Sequence, residues 1–191
     1  MNIELTAPTS GRLIDHIASP PALPICFDSA EGVSHPSHSK YFDGLNFVAE
    51  VNALAWGQCG EIYQAPRQEE MNSEWANVGH TIPEVLSKWR NYGLFGTNIE
   101  GWFTLDYRDT DSILRAIALF GFVVASHSAS APGTLCGFHR NLGVHQFGCI
   151  AGIPFANFNQ PLAVYVVMPT IYVETDHPST QYIKYETLET E

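Results

Sequence analysis

Four cysteines and one late histidine are the residues of this chain best suited to covalent chemistry. A cysteine thiolate is a strong nucleophile, and a nearby imidazole can take its proton. Cys136 lies in a glycine-rich stretch before His145, so a loop could bring the thiol to the imidazole. Cys149 follows His145 on the same expected strand but about 13 Å away, too far for proton transfer. We favour a structural thiol at Cys136 and keep a Cys136–His145 pair as the alternative.

The spacing of the cysteines and histidines favours neither a disulfide framework nor a metal site. No two cysteines form a CxxC pair, so we expect free thiols, mostly buried, at Cys26, Cys59, Cys136 and Cys149. His35 and His38 have no nearby cysteine or acid to complete a zinc set. One further set has offsets that match no ordinary zinc finger: Cys136, His139, His145 and Cys149. We therefore predict no metal and no cofactor.

Three stretches of the chain carry signals of a helix. Apolar residues from Phe47 onward recur at helical spacing on more than one side, which predicts a central, buried helix that ends near Gly57. Asn46, just before it, is a competent N-cap. The second helix is Thr81–Tyr92, which opens with a capping box and has a proline in its first turn. The third is Asp111–Phe120, with acidic residues at its positive end.

The strand signals come later in the chain than most of the helix signals. Gly121–Ser128, Val144–Ile153 and Leu162–Val173 are rich in β-branched and apolar residues and predict three strands. Ser128–Asn141 is rich in glycine, serine and proline, which predicts a loop. Helices followed by strands, rather than regular alternation of the two, indicate an α+β fold.

Both ends of the chain differ in composition from its middle. Residues 1–40 contain several prolines and little periodicity, so we expect an extended N-terminal arm. The arm either packs over its own domain or reaches a neighbouring subunit. Residues 176–191 are polar and acidic and form a predicted tail, which leaves residues 41–175 as the domain.

Composition excludes some classes of partner. The chain has 9 Lys and Arg against 20 Asp and Glu, a formal net charge of −11. Nucleic acids and anionic membranes are therefore not expected partners, because both are bound through basic side chains. Only 15 % of residues are charged, which is typical of a surface partly covered by other proteins. Glu4 precedes any basic residue at the N-terminus, so no secretory signal is predicted.

Five segments follow the order of motifs in a known family. Tyr41–Ala49 is similar to the stretch that begins the family's central helix, and Val85–Gly93 contains its W-R-x-x-G string. Asn98–Leu105 and Ser112–Val124 resemble the strand and the helix–strand pair that come next. Gly143–Gly152 is similar to the family's histidine motif. On these segments the chain resembles the papain-like cysteine peptidases encoded by phages, which implies a buried central helix packed on an antiparallel β-sheet.

At several positions that the resemblance assigns to the catalytic site, this chain has residues that differ from those of the family. The resemblance makes His145 the catalytic-type histidine, but it places Asn46 where the nucleophilic cysteine should stand, and a carboxamide is a negligible nucleophile. Lys40 falls at the position of the oxyanion glutamine. The downstream Asn or Asp of the family would be Asn157 or Asn159. We therefore interpret Asn46, His145 and Asn159 as vestigial positions of an inactive site.

These features favour a non-catalytic, papain-like module that serves as a structural or binding protein. We expect a phage virion component of the capsid, neck, tail or baseplate, located in the virion or the host cytoplasm. Its partners would be proteins or further copies of itself in a homo-oligomer. One alternative is an active cysteine hydrolase that uses His145 with a relocated cysteine such as Cys136. Another is a small acidic inhibitor or decoy of a host factor.

Overall fold

The computed structural model has a mixed α+β architecture, which confirms the predicted fold class. The described residues are 10–11, 22–36, 45–67, 69–71, 73–74, 81–127, 130–148, 153–154 and 163–170. The predicted acidic tail and most of the predicted arm lie outside these ranges. Within them, no helix is long and apolar enough to cross a membrane.

Three helices form where the sequence predicts them, with a difference of one residue at the start of the first and of the third. They are α1 (Asn46–Gln58), α2 (Ile82–Tyr92) and α3 (Thr110–Phe120). The capping box of α2 is confirmed, since the Thr81 hydroxyl accepts a hydrogen bond from the Glu84 amide and the Glu84 carboxylate accepts one from the Thr81 amide. The first helix begins one residue earlier than predicted.

The prediction of Asn46 as the N-cap of α1 is wrong. Leu45 occupies that position, and its side chain can supply no capping oxygen. Asn46 is the first helical residue, and its Oδ1 atom is buried without a hydrogen-bond partner among the described residues. Every residue from Phe47 to Ala55 is buried, so the expectation of a central, buried helix is confirmed.

Eight strands of the described chain join in one sheet: β1 (Ser10–Gly11), β2 (Cys26–Asp28), β3 (Asn98–Leu105), β4 (Val123–His127), β5 (Ser130–His139), β6 (Gly143–Gln146), β7 (Ile153–Pro154) and β8 (Ala163–Thr170). Their order is β1-β3-β8-β4-β5-β6-β7, and β2 pairs with β5 beside β4. Every pairing in this sheet is antiparallel except that of β1 with β3.

Two strand predictions are corrected. Ser128–Asn141, predicted as a loop, contains the ten-residue strand β5 in the middle of the sheet. Its glycines sit where neighbouring groups approach closely, so in this strand they serve packing and not turns. Val144–Ile153, predicted as one strand, is divided between β6 and β7, which pair with each other. The strand predicted at Leu162–Val173 is confirmed as β8 over its described part.

The sheet is covered by helices on both faces. Alternate residues of β8 point to opposite sides, with Val164 and Val166 in the buried cluster that includes α3. Tyr165 and Val167 belong to the cluster that includes α1 and α2. The face covered by α1 also carries the predicted histidine, His145, because its neighbour Val144 belongs to the α3 cluster.

Residues 22–36, the main described part of the arm, lie on the same chain's sheet, and we call them the strap. The Ser29 amide donates to the Cys136 carbonyl at 3.0 Å, and the Arg140 amide donates to the Ile25 carbonyl at 2.8 Å. These bonds flank β2 and attach it to the edge of β5. In this structure the strap therefore covers its own domain.

Candidate functional site

His145 lies beside an aspartate that the sequence did not single out. In the register of the sheet, Gly137 of β5 stands opposite Asp28 on one side and opposite His145 on the other. The Nδ1 atom of His145 is 3.7 Å from Oδ2 of Asp28. Both side chains are about half exposed to solvent. The strap thus places a carboxylate near the imidazole that the resemblance predicts to be the catalytic-type histidine.

Gly137 makes this contact sterically feasible. A Cβ atom at this position would lie 2.8 Å from the carbonyl oxygen of Phe27 and 3.3 Å from Cγ of Asp28. Any side chain between the two outer strands would push β2 away. The absence of one lets Asp28 and His145 meet across the middle strand.

Cys136 faces the protein interior beside this pair. Cys136 is only 2 % exposed and belongs to the buried cluster that includes α1. The contact shown for its Sγ atom is with the carbonyl oxygen of His145, at 3.8 Å. The thiol is therefore close to the His145 backbone, but burial in an apolar cluster disfavours the thiolate that a nucleophile requires.

Some of the other predicted site residues are among those that the structure describes, and some are not. Asn46 is in the first turn of α1, one turn before Glu50. Lys40, Asn157, Asn159 and Cys149 lie outside the described residues, and so does His38. No group of three or more His, Cys, Asp or Glu in the described ranges is placed to hold a metal ion.

A second histidine–carboxylate pair lies near the start of α1. Nε2 of His35, on the strap, is 3.4 Å from Oε1 of Glu50. The His35 ring packs edge-on against Phe147, with 4.8 Å between the ring centroids. The Glu50 side chain is only 10 % exposed, and its Oε2 atom has no hydrogen-bond partner among the described residues. Sequence reasoning overlooked Glu50, although it is the one charged residue in the sequence of α1.

The three cysteines in the described part of the chain are less buried than predicted. Cys26 is exposed, Cys59 is partly exposed and Cys136 is buried, all as free thiols. Burial, and to a smaller extent the Glu61 carboxylate, raises the pKa of the Cys59 thiol above its usual value. Cys59 is therefore a poor nucleophile at neutral pH. Cys26 is the thiol that solvent reaches most readily among these three.

Comparison of the chain with family models, with curated proteins and with solved structures finds no match.

Proposed function

We propose that this chain is a non-catalytic, papain-like module that acts as a structural or binding protein, with a phage virion as its assembly. The observation that carries the proposal is the residue at the start of the buried helix. The resemblance places a nucleophile there, and the chain has Asn46, whose amide is a negligible nucleophile.

The surroundings of His145 support the same proposal. Its Nδ1 atom lies 3.7 Å from Oδ2 of Asp28, close enough for charge attraction but longer than a hydrogen bond. A carboxylate near the imidazole does not by itself cleave a peptide bond, because a cysteine peptidase also needs a thiolate beside the imidazole. The neighbouring Cys136 thiol is buried and contacts the His145 carbonyl group.

The composition of the chain supports assembly as the role of the module. Charged residues are scarce at 15 %, and the net charge is −11, so a protein partner fits better than a nucleic acid. Large apolar side chains reach the surface at Ile25, Ile62, Tyr92 and Leu142. Aromatic and apolar side chains of this kind are enriched in the cores of protein interfaces.

One observation favours a cysteine hydrolase as a second candidate function. Sγ of Cys136 is within 4 Å of an atom of His145, so a small change in the strand could bring the thiol to the imidazole. Such an enzyme would use Cys136 as the nucleophile, His145 as the base and Asp28 as the residue that positions the base.

Thiol labelling of single-cysteine chains separates the two functions. A chain that keeps only Cys136, with serine at positions 26, 59 and 149, should react with iodoacetamide at pH 7 at least about a hundredfold slower than when unfolded in urea. A chain that keeps only Cys26 is the control and should react rapidly. Fast labelling of Cys136 that is lost in His145→Gln would refute the non-catalytic proposal and establish the hydrolase.

Light scattering tests the assembly role on the same wild-type protein. We expect a defined oligomer across a hundredfold range of concentration. A monomer at every concentration, combined with absence of the protein from purified virions, would contradict the role in a virion.

A further inference from the structure

A cavity of about 470 Å³ opens where the ends of two helices and two strands meet. Helices α1 and α2 contribute Trp56 and Tyr92 from their last turns, and the paired ends of β3 and β8 contribute Asn98 and Thr170. The tight turn between α2 and β3 contributes Phe95. A volume of this size is typical of small-molecule sites, which span about 300–1,000 Å³.

The turn that carries Phe95 holds an aromatic residue in a conformation that favours asparagine or glycine. Leu94 and Thr97 exchange two backbone hydrogen bonds of 2.9 Å, so Phe95 and Gly96 are the central residues of a hairpin turn. Their φ angles are 50° and 72°, as a type I′ turn requires. A side chain in this conformation brings Cβ close to the following carbonyl oxygen. Phe95 is the single non-glycine residue of the described ranges with positive φ, so the backbone is strained where the ring lines the cavity.

Three aromatic rings from separate elements line the cavity. Tyr92 is 82 % exposed, a high value for so large a ring. Trp56 is half-buried and packs against Tyr63, with 6.3 Å between the ring centroids. Phe95 is half-buried and packs in part against the core cluster that includes α1. The cavity therefore offers apolar ring faces on which a flat ligand can stack.

Neutral polar groups lie beside these rings. Asn98 and Thr170 are direct partners in the register of β3 and β8, which places their Cβ atoms about 5 Å apart. The Asn98 amide lies against Gly93, where a Cβ atom would be 2.9 Å from the amide oxygen. The Thr97 hydroxyl is hydrogen-bonded within the protein both as donor and as acceptor, so it braces the turn. The groups placed to bind a ligand are thus those of Asn98 and Thr170.

The lining of the cavity selects for an uncharged ligand. None of the described residues that line it is charged, so a phosphate or carboxylate would find no cationic partner there. The net charge of −11 also opposes the approach of an anion. A suitable ligand has an apolar face for the rings and uncharged hydrogen-bonding groups around its edge. A pyranose ring has both, since its C–H groups form an apolar face and its hydroxyl groups project from the rim.

We propose that this cavity binds a neutral carbohydrate, with one pyranose ring stacked on the aromatic side chains and its hydroxyl groups hydrogen-bonded to Asn98 and Thr170. A carboxamide and a hydroxyl each donate and accept, which matches sugar hydroxyl groups. A proline-rich peptide also stacks on aromatic rings, but proline has no N–H group, so its backbone would leave the acceptors of Asn98 and Thr170 unused. This inference goes beyond the proposed function and does not depend on it.

Saturation-transfer NMR on the full chain with neutral saccharides tests the proposal. The probes are glucose, galactose, mannose and N-acetylglucosamine, each also as a disaccharide, and hexaproline is the peptide probe. We expect at least one saccharide to bind with a Kd in the millimolar range. Saturation should be strongest at the ring C–H protons, because these protons face the aromatic side chains.

Substitutions at the cavity locate the binding. Tyr92→Ala and Asn98→Ala should each weaken binding about three- to tenfold, the effect of losing one stacking contact or one hydrogen bond. Both side chains are exposed, so the midpoint of urea unfolding should change little. Phe95→Asn removes the third ring, gives the turn a residue that suits it and should weaken binding by a similar factor. Leu142→Ala is the matched control, since it removes an exposed apolar side chain outside the cavity and should leave binding unchanged.

Three results would overturn the proposal. The first is no saturation of any saccharide at concentrations up to about 50 mM, well above a millimolar Kd. The second is saccharide binding that stays unchanged in both Tyr92→Ala and Asn98→Ala, which would place the site elsewhere. The third is binding of hexaproline without binding of any saccharide, which would assign the cavity to a peptide.

Discussion

Replacement of Gly57 by alanine tests whether the strap lies against α1. Alanine is favoured over glycine by about 0.8–1.0 kcal/mol in a helix interior, and Gly57 lies in the last turn of α1, so helix propensity alone predicts a protein more stable by at most this amount. A Cβ atom at position 57 would, however, lie 2.5 Å from Cγ2 and 3.3 Å from Cγ1 of Val33. Valine is stiff at χ1 and cannot withdraw both methyl groups. Overpacking of this kind costs about 1–3 kcal/mol, so we expect Gly57→Ala to lower stability by about 1 kcal/mol overall.

The same substitution should have the opposite effect in a Val33→Ala background. Without the two methyl groups, the nearest strap atom would be Cβ of residue 33, at 3.5 Å, which is an ordinary contact. Helix propensity then dominates, and Gly57→Ala should stabilise the protein by up to about 1 kcal/mol. The interaction energy between the two positions should be about 1–3 kcal/mol.

Equilibrium unfolding in urea, followed by tryptophan fluorescence, measures all four proteins of this cycle. The slope of the transition should stay constant, so that shifts of its midpoint report stability. The reasoning is refuted if Gly57→Ala stabilises the protein equally in both backgrounds, because the strap then does not occupy the space beside α1.

Three further predictions concern the core and the candidate site. Thr97→Val should lower the free energy of unfolding, measured in urea, by about 2 kcal/mol. The reason is that the indole N–H of Trp89 donates to the Thr97 hydroxyl at 3.1 Å and would lose its acceptor. The control, Thr97→Ser, keeps the acceptor and should change stability little. Gly137→Ala should lower the free energy of unfolding by about 1–3 kcal/mol and loosen β2, because its Cβ atom would lie 2.8 Å from a backbone carbonyl oxygen. Gly133→Ala in the same strand is the control and should cost less, because its Cβ atom would meet only the end of a glutamine side chain. Equal losses of stability in the two variants would contradict this. Burial raises the pKa of Tyr63 to about 12, so the difference between absorbance titrations of the wild type and of Tyr63→Phe near 295 nm should place its midpoint about two pH units above an exposed tyrosine. Its contribution to stability is therefore complete below pH 10 and is lost as the pH rises through 12, and a midpoint near 10 would exclude burial of its hydroxyl group.

Local signals in the sequence predicted the helices well. The capping box of α2 and the acidic first turn of α3 are interactions between residues three or four apart, so they can be recognised without the fold. The start of α1 was misplaced by one residue, because Asn46 has the side chain of an N-cap but lies inside the helix. Propensity at a helix end is a weak preference that packing of the neighbouring Leu45 can override.

Strand β5 shows where local reasoning failed. Glycine and proline usually mark turns, and Ser128–Asn141 is rich in such residues. The strand forms because β2, β4 and β6 pair with it, and Gly137 leaves room for β2, which a side chain there would touch. Which segments become neighbours depends on sheet pairing between residues more than a hundred positions apart, as for Asp28 and Gly137.

The choice of His145 as the catalytic-type histidine rests on the resemblance and stays a prediction, whereas the sequence alone determined the α+β fold class and the three helices. Each of these depends on composition, on periodicity or on a short motif, all of which are local properties. Only the tertiary structure decided that Asp28 faces His145, that Glu50 faces His35 and that the Cys136 thiol is buried. These contacts join the strap, the sheet and α1, and their geometry follows from strand register and packing, which no local pattern in the chain encodes.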